Sequence, residues 1–393
     1  MTTTETNTPW QLPAAGLVPG LVWFAHLKVG NLHYQDVETA LATDRTCPAD
    51  WLVQLAHRPS PSRAVALARN TQFPPQLLGR LFTKLSPVYV LRAVVARLDC
   101  PSSVLRRVSH ICRTAHAGDE VFRKLAAHPN LPADLLAEMV DLGQHPRVVA
   151  QNPACSADLL AKLWRRRQLT AAVAANPSLP PELCRRAETS VSDAVMGAYA
   201  TNPAASPTWL AKAAETSWLH EHLLRNPACP RISIDRVLHD IEYLDADLLH
   251  GLAKNPACPP DALEALAYRP ERELRRLVAD HRNTPLATLE RLAVDEYDVV
   301  VETAARNPNL SVSTLERLAA ASHDWVQVSA WSSPRISVAA LLQAPAYRVM
   351  YCSIPAAILP AVDVAVVRWA IGVVPDWNGT LGDLLDAAQL LNV

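Results

Sequence analysis

Residues 254–267 read KNPACPPDALEALA, with a cysteine and two prolines directly after an Asn-Pro pair. Alone, the stretch suggests a redox or metal motif. In the context of the whole chain it is one copy of a repeat. With Asn255 as position zero, the same register recurs as NPACSADLL from Asn152, NPSLPPELC from Asn176, NPAASPTWL from Asn202, NPACPRISI from Asn226 and NPNLSVSTL from Asn307. Weaker copies start at Asp44, Asn70, Arg97, His128, His281 and Ser333, which makes twelve units with anchors 24 to 31 residues apart. Self-similarity at such a period is the signature of a stacked array.

Each position has a physical reading. Asn-Pro ends a helix, because proline forces the preceding residue out of the helical region and cannot itself continue the ladder. Asn is therefore read as a terminator. Four residues on, Pro259, Pro180, Pro132, Ser156, Ser206 or Ser311 suits the start of the next helix. An acid two residues later (Asp134, Asp158, Glu182, Asp261) sits favourably against its dipole. Positions eight and eleven are apolar (Leu263 and Leu266, Leu289 and Leu292, Leu315 and Leu318), which is one face of a short helix. A second apolar-periodic segment, such as RELRRLVAD (272–280) or VVVETAAR (299–306), then runs into the next anchor. No stretch alternates with the period of a strand.

Composition agrees. A chain of 393 residues, half hydrophobic and 19% charged, has ample apolar material for a core. Its 32 prolines must punctuate the helices that its many alanines and leucines favour. The sequence therefore predicts an all-α solenoid of about twelve two-helix repeats over residues 39–345, without β-sheet. A single unit cannot bury its apolar face alone, so end caps are expected. Residues 1–38, which contain GLVPGLVWFAHLKVG, form the N-terminal cap, and 346–393, which end in TLGDLLDAAQLLNV, supply C-terminal capping helices. VMYCSIPAAILP (349–360) reads as a degraded thirteenth unit. The N-terminus shows no secretory pattern, and no apolar run is long enough for a membrane span, so a soluble cytoplasmic protein is expected.

The recurring N-P-x-x-P-x-x-x-L-x-x-L register resembles the variant leucine-rich repeat family. That resemblance implies a right-handed superhelix of α-helices alternating with shorter 3₁₀-type helices. One branch of the family carries an N-terminal cysteine cluster for an iron-sulfur centre. Residues 1–46 hold no cysteine, so no cofactor is carried over.

Five of the eight cysteines, Cys47, Cys100, Cys155, Cys229 and Cys258, occupy position three, where other units place Phe73, Leu131, Leu179, Ala205 or Leu310. A site shared with Phe and Leu is a packing site. Cys184 stands at a leucine position and reads the same way. The over-long spacing before His128 contains SHICRTAHAGDE (109–120), where His110, Cys112 and His116 fall short of a recognisable zinc set, so a solvent-facing loop is expected there. His220-Glu221-His222 reads as part of a polar helix face, and no nucleophile elbow, phosphate loop or H-E-x-x-H is present. Trp51 and Trp209 are expected at the core edge, and Trp325 and Trp331 nearer a groove, with core packing favoured over interface use.

Charge carries the functional signal. The formal net charge is only −1, yet residues 80–186 hold 16 basic and 8 acidic side chains against 16 and 25 in residues 187–393. Arginine stands five before the anchor in three successive units (Arg92, Arg123, Arg147) and again at Arg276. Arg106, Arg107, Arg165, Arg166 and Arg167 are nearby in sequence. Residues at one repeat position stack into a column. Two readings are open: arginines packing their stems and pairing with acids of the next unit, or a stripe that takes an anionic partner. The expected function is non-catalytic binding or scaffolding of a protein or peptide, acidic partners included, with no metal. The alternative is a nucleic-acid-binding helical-repeat protein, including a DNA-modifying or base-excision enzyme, that uses the basic segment 80–186.

Overall fold

The structure, a computed structural model, describes residues 17–31, 36–115, 119–239, 241, 244, 246–321, 323–349, 352, 362–363 and 379–391. They form two compact units, Pro101–Thr314 and a second one made of Met1–Cys100 with Leu315–Val393. Both are stacks of two-helix repeats, as the sequence predicts.

In the Pro101–Thr314 unit each repeat opens with a first helix, for example Ala133–Asp141, Ala157–Trp164, Pro181–Glu188 and Pro260–Leu266. At its start the Ser156 and Ser206 hydroxyls accept from the Leu159 and Trp209 amides, while Pro132, Pro180 and Pro259 occupy the cap position with no side-chain acceptor. Leu263, Leu266, Leu289 and Leu292 are fully buried. The second helices, such as Asp119–Ala127, Pro146–Gln151, Thr170–Ala174, Asp193–Ala200, Arg272–Asp280 and Asp298–Arg306, pack side by side from one repeat to the next. Small residues permit that approach. A Cβ added at Gly197 would come within 2.9 Å of the His222 ring. These second helices are α-helical, and 3₁₀ geometry among the described residues is confined to Pro75–Leu81, Arg167–Leu169 and Ser217–Leu219.

The anchor asparagine does more than end a helix. Asn202 is fully buried, and its Nδ2 donates to Ala174 O and Asn176 O of the preceding repeat, both at 2.7 Å. Its Oδ1 accepts from the Ala204 amide at 2.8 Å. Asn152, Asn176, Asn226, Asn255 and Asn307 repeat the pattern. The carbonyls they serve belong to the last turn of the preceding second helix and to its anchor, which the helix itself cannot satisfy. The result is a polar ladder running through the core, in which every amide proton and carbonyl of the anchor is used. His281 reproduces it with an imidazole, Nε2 to Asn255 O at 2.9 Å and Nδ1 accepting from the Asn283 amide at 3.1 Å, which fixes the neutral Nε2–H tautomer.

The other unit begins with Gly20–Asn31, which buries Val22, Phe24 and Ala25 and packs on Val37–Thr43; that helix packs on Pro61–Arg69, and Pro61–Arg69 on Val88–Val95. Asn70 continues the ladder to Ala42 O and Asp44 O, and Arg97 stands in for asparagine with Nη1 on Asn70 O and Phe73 O. The Leu381–Leu391 helix packs on Val338–Leu342 and Ala346–Val349. Residues from its two sequence segments meet in this unit. Buried Lys28 donates to Asp44 Oδ2 at 3.3 Å and to Cys352 O at 3.1 Å, and Leu17–Val18 pairs antiparallel with Val362–Asp363. Apart from one isolated bridge, Pro345 to Thr380, that two-residue pairing is the only strand contact among the described residues, and the repeats themselves contain none. Most of the expected thirteenth unit, 349–360, lies outside the described residues.

Candidate binding face

The two helices of each repeat give the Pro101–Thr314 unit two faces, and the predicted arginines divide between them. Arg106 is on the first helix Ser102–Ala115 and grips the Asp134 carboxylate of the next first helix with Nη1 at 2.6 Å and Nη2 at 2.7 Å. The pair lowers the Asp134 pKa and raises that of Arg106, the shared hydrogen bonds being the main cause. Arg113 grips Glu138 from the same helix. Lys162 reaches Asp141 at 2.6 Å, and Arg231 bridges Asp235 and Asp261. The first-helix face is thus stitched laterally by ion pairs, and for Arg106 the pairing reading holds. Arg107 is exposed on that same helix.

Arg123 and Arg147 are on the second helices Asp119–Ala127 and Pro146–Gln151, both exposed. Arg165 closes the first helix Ala157–Trp164, and Arg166 and Arg167 lead the 3₁₀ turn into the second helix Thr170–Ala174. Arg166 is half-buried and its two neighbours are exposed. Among the described residues, none of these five guanidinium groups has a carboxylate partner. The pairing reading therefore fails for them. Arg92 is exposed on Val88–Val95 in the other unit, so within one unit the expected column of three reduces to Arg123 and Arg147, with the three consecutive arginines in the next repeat.

The cysteines are packing groups, as position three implies. Cys47, Cys100, Cys155 and Cys258 are buried alongside Phe73, Leu131, Leu179, Ala205 and Leu310. Burial pushes the Cys258 and Cys229 thiols up to about 12 and the Cys155 thiol up to about 11. None is set up as a thiolate nucleophile.

One expectation needs correction. The stretch 109–120 is not a loop up to its undescribed part, because Ser102–Ala115 continues as a 14-residue helix that buries Val104, Leu105, Val108, Ile111 and Cys112. On it Cys112 faces the core while His110 is exposed, and His116 lies outside the described residues. Two residues apart on a helix do not share a face, so these two do not form a ligand pair. Trp331 is a core side chain, only 2% exposed, that borders a cavity with Glu316, Gln327 and Gln343, whereas Trp325 is 57% exposed. Among the described residues no three His, Cys, Asp or Glu side chains gather as a metal site. His220 and His222 are spent locally, the first with Nε2 2.9 Å from Ala214 O and the second lying over Gly197.

Sequence reasoning missed Gln151 and Gln168, which are exposed on the same second-helix side, and Trp218, exposed in the turn before His220–Leu224 with its ring edge-on to His222. Single residues at positions the repeat leaves free carry no pattern to find them by. No helix among the described residues is long and apolar enough to cross a membrane. No protein-family model matches this chain, and no curated protein matches it significantly.

Proposed function

We propose that this chain is a non-catalytic binding protein that presents the second-helix face of its repeats to a protein or peptide partner. The observation that supports this most is a division of labour within the repeat. Its recurring positions are used in the buried ladder and the leucine core, while the position five before the anchor holds Arg123, Arg147, Ala171, Gly197, Glu221, His250, Arg276 and Glu302 in successive units. Packing fixes only Gly197 of these, which faces the His222 ring, and places no common demand on the others. Successive repeats can therefore offer different chemistry on one extended surface, the use to which stacked arrays are suited. The repeat register also supports assignment to the variant leucine-rich repeat type with a right-handed superhelix, and the absence of a transmembrane helix among the described residues is compatible with a cytoplasmic protein.

The test is affinity capture with tagged protein under gentle conditions, comparing two charge-altered forms. Arg123→Glu with Arg147→Glu is expected to lose the captured partner. Arg106→Gln with Asp134→Asn, on the first-helix face, is expected to retain it. The reverse result would move the binding surface to the other face.

A further inference from the structure

The ion-pair distribution says what kind of partner the second-helix face takes. Residues 101–186 contain 12 basic and 7 acidic side chains. Of the acids, Asp134, Glu138, Asp141 and Glu182 are gripped by Arg106, Arg113, Lys162 and Arg185 on the first-helix side. Asp119 is held at 3.0 Å from His145 Nε2. Internal pairing thus consumes the first-helix carboxylates, Asp119 on the helix of Arg123 is held by His145 with Glu120 beside it, and Arg123, Arg147, Arg165, Arg166 and Arg167 are left without a carboxylate partner among the described residues on three successive repeats.

The extent of this patch is limited. Helices in contact stand about 8–10 Å apart, so three repeats span roughly 20 Å. Past it, residues 187–314 of the same unit carry 12 basic and 19 acidic side chains, so the net charge of the following repeats turns negative. A nucleic-acid duplex, with a charge about every 1.7 Å along its axis, would run off the patch into that region. A net charge of −1 for the whole chain provides no long-range steering toward a polyanion either. An extended peptide advances about 3.3 Å per residue, so a segment of roughly seven residues matches the patch. Arginine forks suit carboxylates, which they can hold through two parallel hydrogen bonds. The neighbouring exposed Gln151 and Gln168 offer both donors and acceptors for a peptide backbone.

We propose that Arg123, Arg147, Arg165, Arg166 and Arg167 form the docking site for a short, extended acidic segment of a partner protein. This rests on the binding reading above and specifies the chemistry of the partner. It assigns the patch to carboxylates, with nucleic acid as the competing outcome.

The experiment measures fluorescence anisotropy of a labelled peptide of alternating Glu and Ser, with a labelled oligothymidine of equal charge as the competing probe, on the full chain at low and at physiological salt. The peptide is expected to bind more tightly than the oligonucleotide, and to weaken as salt rises and screens the pairs. Changing all five arginines to Glu is expected to weaken peptide binding by at least about tenfold. Changing Arg45, Lys84, Lys212, Arg282 and Arg317 to Glu, equal in number and exposed elsewhere, is expected to leave it within about twofold. The corresponding five Arg→Gln changes give a milder form, in case charge reversal disturbs folding as judged by circular dichroism. No peptide binding at low salt, tighter binding of the oligonucleotide, or an equal loss in the control set would overturn the inference. If the peptide fails while partner capture still depends on Arg123 and Arg147, the acidic-segment inference falls and the binding reading stands; loss of both sinks both.

Discussion

The two faces of the Pro101–Thr314 unit come from the same repeat but use their charges differently. On the first-helix face, Arg106, Arg113, Lys162 and Arg231 are matched to acids of adjoining repeats. Arg123 and Arg147 on the second helices, and the run 165–167 that leads from a first helix into the next second helix, have no such match among the described residues. Between the faces runs the asparagine ladder, which neither face can dispense with. The difference shows that exposure alone does not mark a functional charge. What marks it is exposure without an internal partner, on a part of the repeat that packing leaves free.

This contrast predicts a gradient of stability effects that falls from the ladder outward. Asn202→Ala should be the costliest change, by about 3 kcal/mol or more, because it removes two inter-repeat bonds and the acceptor for the Ala204 amide, and leaves the Ala174 carbonyl without its donor. Denaturant melting followed by circular dichroism would show it, and a loss under about 1 kcal/mol would reduce the ladder to a helix-stop signal. Cys258→Ala removes a small buried group at a fully closed position and should cost about 1 kcal/mol with peptide binding unchanged. A change in binding would bring the thiol into function and blur the separation.

The first-helix ion pairs come next. Arg106→Gln should cost less than either of these changes, since both partners are exposed and well solvated. Their pH signature has a definite sign. The Asp134 and Asp261 carboxyls are held below the ordinary 3.8 by Arg106 and Arg231. Their contribution is therefore full above about pH 4 and is lost as pH falls through the lower folded-state values. Thermal melts between pH 5 and pH 2.5 on the wild type and on Arg106→Gln should converge at the acid end; a constant gap would mean that the arginine acts through packing instead. The smallest effect belongs to the second-helix face, where changing the five arginines to Gln should leave the melting temperature unchanged within about 1 °C. A marked drop would show that these side chains support the fold.

The repeat and its core were legible because apolar spacing and proline placement are local signals. Leu263, Leu266 and Cys258 sit where the register placed them. The ladder was not legible, although its signal was present: a buried helix stop needs no amide, yet asparagine recurs at seven anchors. Its acceptors lie one repeat back, a relation that a one-dimensional pattern does not display. Ser102–Ala115 was misread as containing a loop because its length broke the register, even though Val104, Leu105, Val108, Ile111 and Cys112 keep a helical period across it. At the candidate site the charge excess was visible but its partition was not. Arg106 finds Asp134 across 28 residues, and only the stacking of repeats tells a paired arginine from an unpaired one.

The central claim, that the second-helix face is the working surface, is tested most directly by photo-crosslinking. A Glu-Ser peptide carrying a photoreactive group would be irradiated with the full chain and the attachment sites mapped by mass spectrometry. Attachment within 119–127, 146–151 and 165–174 is the result the structure leads us to expect. Attachment concentrated on the first helices 133–141 and 181–188 would contradict it.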